Sequence, residues 1–178
     1  HDLRRSAATH MARLGVHLPP YNTRASLAQL EAVIAQIRPE QRIFLGDSFH
    51  DAKGHALLGD EASARLTALT VRIEMVWISG NHDPGPKTGL GGRHVDSVQL
   101  GPVTLRHAPS GKLAAPEIAG HLHPGAGVVQ RGHMVRGKCF VADTRRIILP
   151  AFGAYTGGLS VRTAAFDGLL ETERASVF

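Results

Sequence analysis

The chain has a single cysteine, Cys139, in 178 residues, so no disulfide can form within it. A lone thiol fits a small buried apolar role better than a reactive one. No apolar run approaches the roughly 18 residues that mark a membrane span. No internal repeat and no domain linker interrupts the sequence, and the expectation is one domain over residues 1–178. No signal-peptide pattern opens the sequence, which starts at His1 rather than Met. That leads to the expectation of a cytoplasmic protein with a trimmed start. Acidic residues are outnumbered, 15 against 20 Lys and Arg, for a net charge of +5. A basic balance favours polyanionic partners such as nucleic acid.

What is present is an apolar fraction of 43%, enough for a globular core, and eleven histidines. Histidine is the commonest metal ligand and titrates near neutrality, so their placement matters. The organising stretch is Ile78-Ser79-Gly80-Asn81-His82-Asp83-Pro84. An apolar run, Met75-Val76-Trp77-Ile78, stops near a glycine, and three chemically competent side chains follow it. Ile43-Phe44-Leu45-Gly46-Asp47 and Ile118-Ala119-Gly120-His121-Leu122-His123 repeat that grammar. Open α/β sheets bind ligands beyond the carboxyl ends of their strands. Three such endings imply one polar cluster fed by several strands.

Between these stretches the pattern alternates. Pro19-Pro20 makes an extended linker. Asn22 or Thr23 can cap a helix whose Leu27, Leu30, Val33, Ile34 and Ile37 share a face, and Pro39 closes it. Arg42–Leu45 reads as a strand, Asp60–Leu69 as a helix capped by Asp60, and Glu74–Ile78 as a strand. Residues 84–94 are rich in Gly and Pro and read as a mobile loop. Val95–Leu100 and Val103–His107 form a hairpin about Gly101-Pro102. Glu117–Ala119, Val128–Gln130, Lys138–Ala142 and Arg146–Leu149 read as strands, with a turn at Asp143-Thr144-Arg145. Helices alternating with strands, then mostly strands, point to an α/β fold built as a mixed-sheet sandwich.

The chemistry follows from residue type. Asp47 suits an anionic bridge, since a carboxylate can offer one oxygen to each of two ions. Asn81 offers a neutral carbonyl oxygen, and His107, His121 and His123 offer imidazole nitrogens. Zinc, manganese and iron accept such a mixed set. His121 and His123 share a face if they lie in a strand and can straddle two ions if they lie in a loop. Asp83 can ligate or orient His82, and orientation is the favoured role. Arg93, Arg106, Arg131, Arg136 and Lys138 are candidates for a basic rim.

Gly46-Asp47, Gly80-Asn81-His82-Asp83, His107 and Gly120-His121-Leu122-His123 resemble the ordered motifs of the calcineurin-like metallophosphoesterases. Leu18-Pro19-Pro20-Tyr21, Ser48-Phe49-His50-Asp51, Gly120-His121-Leu122-His123-Pro124 and the Gly-rich segment Pro150–Gly158 resemble the branch called ligase-associated DNA damage response endonucleases. The resemblance implies a two-sheet mixed β-sandwich flanked by helices, here lacking an N-terminal strand. It implies two divalent metal ions, manganese ahead of zinc or iron. Asp2, Asp47 and His123 would hold the first, and Asp47, Asn81, His107 and His121 the second. His82 would protonate the leaving oxygen or steady the scissile phosphate, with Asp83 beside it. The implied activity is hydrolysis of phosphodiester bonds in DNA during repair, alongside an ATP-dependent DNA ligase and a helicase.

One position departs from the family. Its first motif is Asp-x-His, and here Asp2-Leu3-Arg4 puts a guanidinium where an imidazole is expected. Arginine has no lone pair to offer a metal, so the site near Asp2 is expected to be weak. The alternatives are a nucleic-acid-binding subunit with an impaired metal centre and a phosphodiesterase of small phosphodiesters.

Overall fold

Helix α1, Tyr21–Ile37, buries Thr23, Ser26, Leu27 and Leu30 and half-buries Ile34, the three-and-four spacing of a helix face. Val33 and Ile37, expected on that face, are 36% and 67% exposed. They lie towards the carboxyl end, where the buried stripe thins out. Asn22 and Thr23 fall inside the first turn rather than at a cap. The helix ends where Arg38 turns left-handed, at φ 49°, with its N–H donating to the Ile34 carbonyl at 2.8 Å. Pro39 then bars continuation.

The computed structural model describes residues 21–49, 58–86, 89–153 and 156–178. The expectations for His1, Asp2, Arg4, the Pro19-Pro20 linker, the absent N-terminal strand, His50 and Asp51 lie outside the described residues. The chain divides into two units. One runs through Asp96 with a returning segment at Phe152, and the other covers Ser97–Ala151 and Thr156–Phe178.

In the first unit β1 (Gln41–Phe44) and β2 (Glu74–Ile78) pair in parallel, Gln41 opposite Glu74 and Phe44 opposite Trp77. Parallel neighbours need a crossover, and helix α2 (Asp60–Arg72) lies within it. Gly59 stands at the cap and Asp60 opens the first turn. There its carboxylate, with that of Glu61, meets the positive end of the helix dipole. Ion pairs from Arg24 to Glu61 and from Arg65 to Glu31 link α1 to α2. A third parallel strand, β3 (Arg93–Val95), lies beside β2. It shortens the loop expected over residues 84–94. Leu90 enters the core with Leu27, Phe49, Leu66, Met75 and Trp77. The Trp77 indole donates to the Gly91 carbonyl at 2.9 Å. High Gly and Pro content masks a segment that is pinned by one apolar side chain and one indole.

The second unit contains β4 (Ser97–Leu100), β5 (Val103–Arg106), β6 (Glu117–Ala119), β7 (Pro124–Gln130), β8 (His133–Lys138), β9 (Val141–Ala142), β10 (Arg146–Ile148), β11 (Leu159–Ser160) and β12 (Ser176–Val177). A six-stranded mixed sheet has the order β12-β9-β10-β6-β5-β4, and a smaller one the order β11-β7-β8. The β4–β5 hairpin turns at Gly101-Pro102 as expected. The strand expected over Lys138–Ala142 is divided, because Cys139 donates its N–H to Pro124 while Phe140 pairs with Phe178. Cys139 is buried, and burial pushes its thiol up, which suits the inert role expected of it. Leu122, Ile148 and Phe166 form a second apolar cluster. The mixed α/β class expected from the sequence is the class observed.

Candidate metal centre

In the first unit the chain leaves β1 through two left-handed residues, Gly46 at φ 81° and Asp47 at φ 47°. Aspartate tolerates that region better than most side chains. The turn leaves Asp47 1% exposed. Asp83, fully buried, holds it there. One Asp83 oxygen accepts from the Asp47 N–H at 2.8 Å and the other from the Phe49 N–H at 3.0 Å. Asp83 thus orients the backbone of the loop after β1, a role that residue order could not reveal. The His82 N–H in turn donates to Asp47 Oδ1 at 2.8 Å. Gly80 makes this approach possible. A Cβ there would lie 2.1 Å from Asp47 Oδ1 and 2.2 Å from the Asp47 nitrogen. The His82 ring stands with Nε2 4.0 Å from Asp47 Oδ2 and its side chain 48% exposed, and Asn81 is exposed beside it. Four of the expected residues, Asp47, Asn81, His82 and Asp83, therefore gather at the carboxyl ends of β1 and β2.

In the second unit β5 and β6 run parallel, with Arg106 opposite Ala119, so the residues that follow them emerge side by side. The Gly120 N–H donates to the His107 carbonyl at 2.9 Å. His121 and His123 both lie in loop conformation with left-handed backbones, φ 64° and 48°. The loop alternative for this pair is the one realised. Such conformations cost on the order of 1 kcal/mol or more each, and two within three residues mark a loop held by its surroundings. The His123 carbonyl accepts from the Leu159 N–H at 3.0 Å. Gly158 is required there, since a Cβ would sit 2.3 Å from that carbonyl oxygen. Part of the closing Gly-rich segment is thereby accounted for.

The two rings that meet are those of His107 and His121. His107 Nε2 lies 3.1 Å from His121 Nδ1, with the rings 74° apart, and His107 is only 6% exposed. With nitrogen ligands about 2.0–2.1 Å from a metal, two nitrogens on one ion stand roughly 3 Å apart. The observed pair, at the length of an imidazole–imidazole hydrogen bond, also has that spacing. A buried carboxylate such as that of Asp47, and convergent imidazoles such as these, are each donors of the kind a borderline divalent cation takes.

Sequence reasoning missed the polar girder of the second unit. Glu117 and Arg146, 3% and 2% exposed, form an ion pair at 2.7 Å. Glu117 Oε1 also accepts from the Ser110 N–H at 2.9 Å, and Arg146 donates to the Leu169 and Ser110 carbonyls. The signal in the sequence was a charge opening each of two short apolar strands. Two members of the expected basic rim have acidic neighbours: Arg106 with Glu117 at 3.9 Å and Arg93 with Glu74 at 3.7 Å.

Among the described residues no helix is long and apolar enough to cross a membrane. No protein-family model matches the sequence, and no curated protein matches it. A solved structure does match: the nuclease MPE of Pseudomonas putida, 34% identical, with a TM-score of 0.68 over 83% of this chain and 74% of that one. Identity at that level over most of both chains, with the strand-end motifs in place, shows that the chain belongs to a nuclease family of the metallophosphoesterase type, that of the Pseudomonas putida nuclease MPE.

Proposed function

We propose that the chain is a metal-dependent phosphodiesterase that hydrolyses DNA, of the ligase-associated DNA damage response branch. It would act in the cytoplasm beside an ATP-dependent DNA ligase and a helicase, with both units serving one catalytic domain. The observation that carries this reading is the convergence of His107 Nε2 and His121 Nδ1 at 3.1 Å on a loop with two left-handed histidines, in a chain 34% identical to a nuclease. Asp2, Asp47 and His123 would hold one divalent ion. Asp47, Asn81, His107 and His121 would hold the other, with manganese favoured over zinc and iron. Two such ions, when bound, stabilise the attacking and leaving oxygens of a phosphoryl displacement.

The chain's own residues supply the rest. Asp83 fixes the Asp47 turn through backbone N–H groups, so the carboxylate is aimed before any cation arrives. His82 presents an accessible ring beside Asp47, placed to give a proton to a leaving oxygen or to steady a phosphate. The +5 charge suits a polyanionic substrate over a small phosphodiester.

The test is metal analysis of the purified protein, followed by hydrolysis of an aryl phosphodiester and of DNA with manganese added. Bound metal with hydrolysis of both supports the proposal. Metal-free protein that binds DNA without cutting it would favour a binding subunit, the reading that Arg4 motivates. Hydrolysis of the aryl ester without salt-sensitive DNA binding would favour a small substrate.

A further inference from the structure

The β7–β8 hairpin stands out from its sheet. β11 pairs with β7 only at Pro124 and Gly125. From Ala126 to Gln130, about 16 Å of strand, β7 has β8 as its only partner strand among the described residues. Both faces of this ribbon are exposed. Val128 and Val135 on one face are 64% and 48% exposed, and Val129 and Met134 on the other 69% and 59%. An apolar ribbon open on both sides is costly in water unless something wraps it.

The charge of the ribbon says what. No Asp or Glu occurs between Glu117 and Asp143, while Arg131, Arg136 and Lys138 do. Arg136 and Lys138 stand two residues apart, so both lie on the Val129–Met134 face, where cations recur about every 7 Å. Opposite them in register stand Gly127 and Gly125, which leave the face low. A Cβ at Gly127 would lie 2.7 Å from Met134 Sδ and 3.4 Å from Arg136 Cγ, so those side chains lie across the glycine. At the tip, Arg131 and Gly132 have φ 51° and 78°, the two-residue turn in which Asn-Gly is the usual pair. An arginine there carries a conformational cost that asparagine would reduce, and it sets a charge at the outermost point of the arm.

We infer that the β7–β8 ribbon is a DNA-gripping arm that enters a groove of duplex DNA, with Arg131, Arg136 and Lys138 on backbone phosphates and Val129 and Met134 against the base edges. A two-stranded ribbon is one of the elements a major groove admits, with one face turned to the base edges. The arm begins at Pro124, directly after His123, so DNA held by it is led to the candidate metal-binding loop. The inference rests on the nucleic-acid reading of that loop and names the element that supplies affinity.

The experiment compares the parent with the triple variant Arg131→Asn, Arg136→Gln, Lys138→Gln, and with a second variant, Val129→Thr and Met134→Thr. A charge-keeping control carries Arg131→Lys and Arg136→Lys. Binding to a short mixed-sequence duplex is read by fluorescence anisotropy across a salt series, with thermal midpoint and metal content as folding controls. The triple variant is expected to bind at least about tenfold more weakly at low salt. Its plot of log affinity against log salt should flatten by about one for each phosphate no longer neutralised. The threonine pair should weaken binding with the salt slope kept, and the lysine control should retain both. Unchanged affinity and slope in the triple variant would overturn the arm. So would a parent that hydrolyses the aryl phosphodiester yet shows no salt-dependent duplex binding, a result that leaves the phosphodiesterase reading standing. A parent that neither hydrolyses the aryl ester nor binds DNA would overturn both. If the threonine pair instead abolishes a concentration-dependent dimer and leaves DNA affinity intact, the ribbon joins copies of this chain and the inference fails.

Discussion

Asp83 carries two backbone hydrogen bonds, to the N–H groups of Asp47 and Phe49, with no exposure to solvent. Asp83→Ala would strip the acceptors from two buried donors, each costing about 1–3 kcal/mol. A loss of roughly 2–6 kcal/mol in urea unfolding is expected, together with weaker metal binding as the Asp47 turn relaxes. A loss below about 0.5 kcal/mol, the range of an ordinary surface change, would mean that the turn is held by other groups. Gly80→Ala should be as severe by another route, since its Cβ would fall 2.2 Å from the Asp47 nitrogen, a backbone atom. Reduced thermal midpoint and metal content together would be the signature. His82 is different, with its side chain 48% exposed. His82→Ala should leave stability and metal content in place while phosphodiester hydrolysis falls about 10²–10⁴-fold, the usual worth of a positioned acid. Loss of metal in that variant would make His82 a ligand.

Elements differ in how far local pattern betrays them. Glu74–Ile78 and Glu117–Ala119 are legible to the residue, because each is an apolar run bounded by chain-breaking or polar groups. Asp47, Asn81, His121 and His123 are marked in a related way, each following an apolar run that ends near glycine, whereas His107 follows Arg106 with no glycine beside it. β3 is not, since its stability comes from pairing with β2 and from Leu90 in a distant core. Most of β8 is hidden too, because Arg131-Gly132 and three nearby glycines read as loop, whereas register with β7 makes the ribbon. The Asp143 turn is legible as a turn but not as a link. Asp143 Oδ1 accepts from the Arg145 and Arg146 N–H groups, and Oδ2 from that of Glu171. Partial burial opposes its charge, yet those bonds and the Arg146 guanidinium outweigh the cost and hold the carboxyl below its usual value. A depressed folded value contributes stability above the unfolded value of about 4, lost as pH falls through the folded one. Asp143→Asn should therefore lower the thermal midpoint near neutrality, and the gap should start to close below about pH 4 and vanish only below the folded value. A constant gap at all pH values would show that charge plays no part.

At the scale of the whole molecule the open quantity is how many metal ions the chain holds. The proposed second set names four ligands, Asp47, Asn81, His107 and His121. Its imidazole half already meets the spacing of a shared cation, with nitrogens 3.1 Å apart. The proposed first set has only Asp2, Asp47 and His123, because Arg4 stands where the resemblance leads to the expectation of a histidine. A guanidinium held at short range from a divalent ion would repel it by several kcal/mol, and about 1.4 kcal/mol is tenfold in affinity. Unequal occupancy follows: one tight equivalent at the His107 and His121 side, and a second that is weak or absent. Calorimetric titration with manganese should resolve one strong binding event in the parent chain. Arg4→His should add a second strong event and raise turnover on the aryl phosphodiester, since it removes a repulsive charge and supplies an imidazole in one change. Two tight and equal sites in the parent would refute the assignment of Arg4 as the weak point and require a ligand beyond Asp2, Asp47 and His123. A single site retained in Arg4→His would place the limit on Asp2 instead.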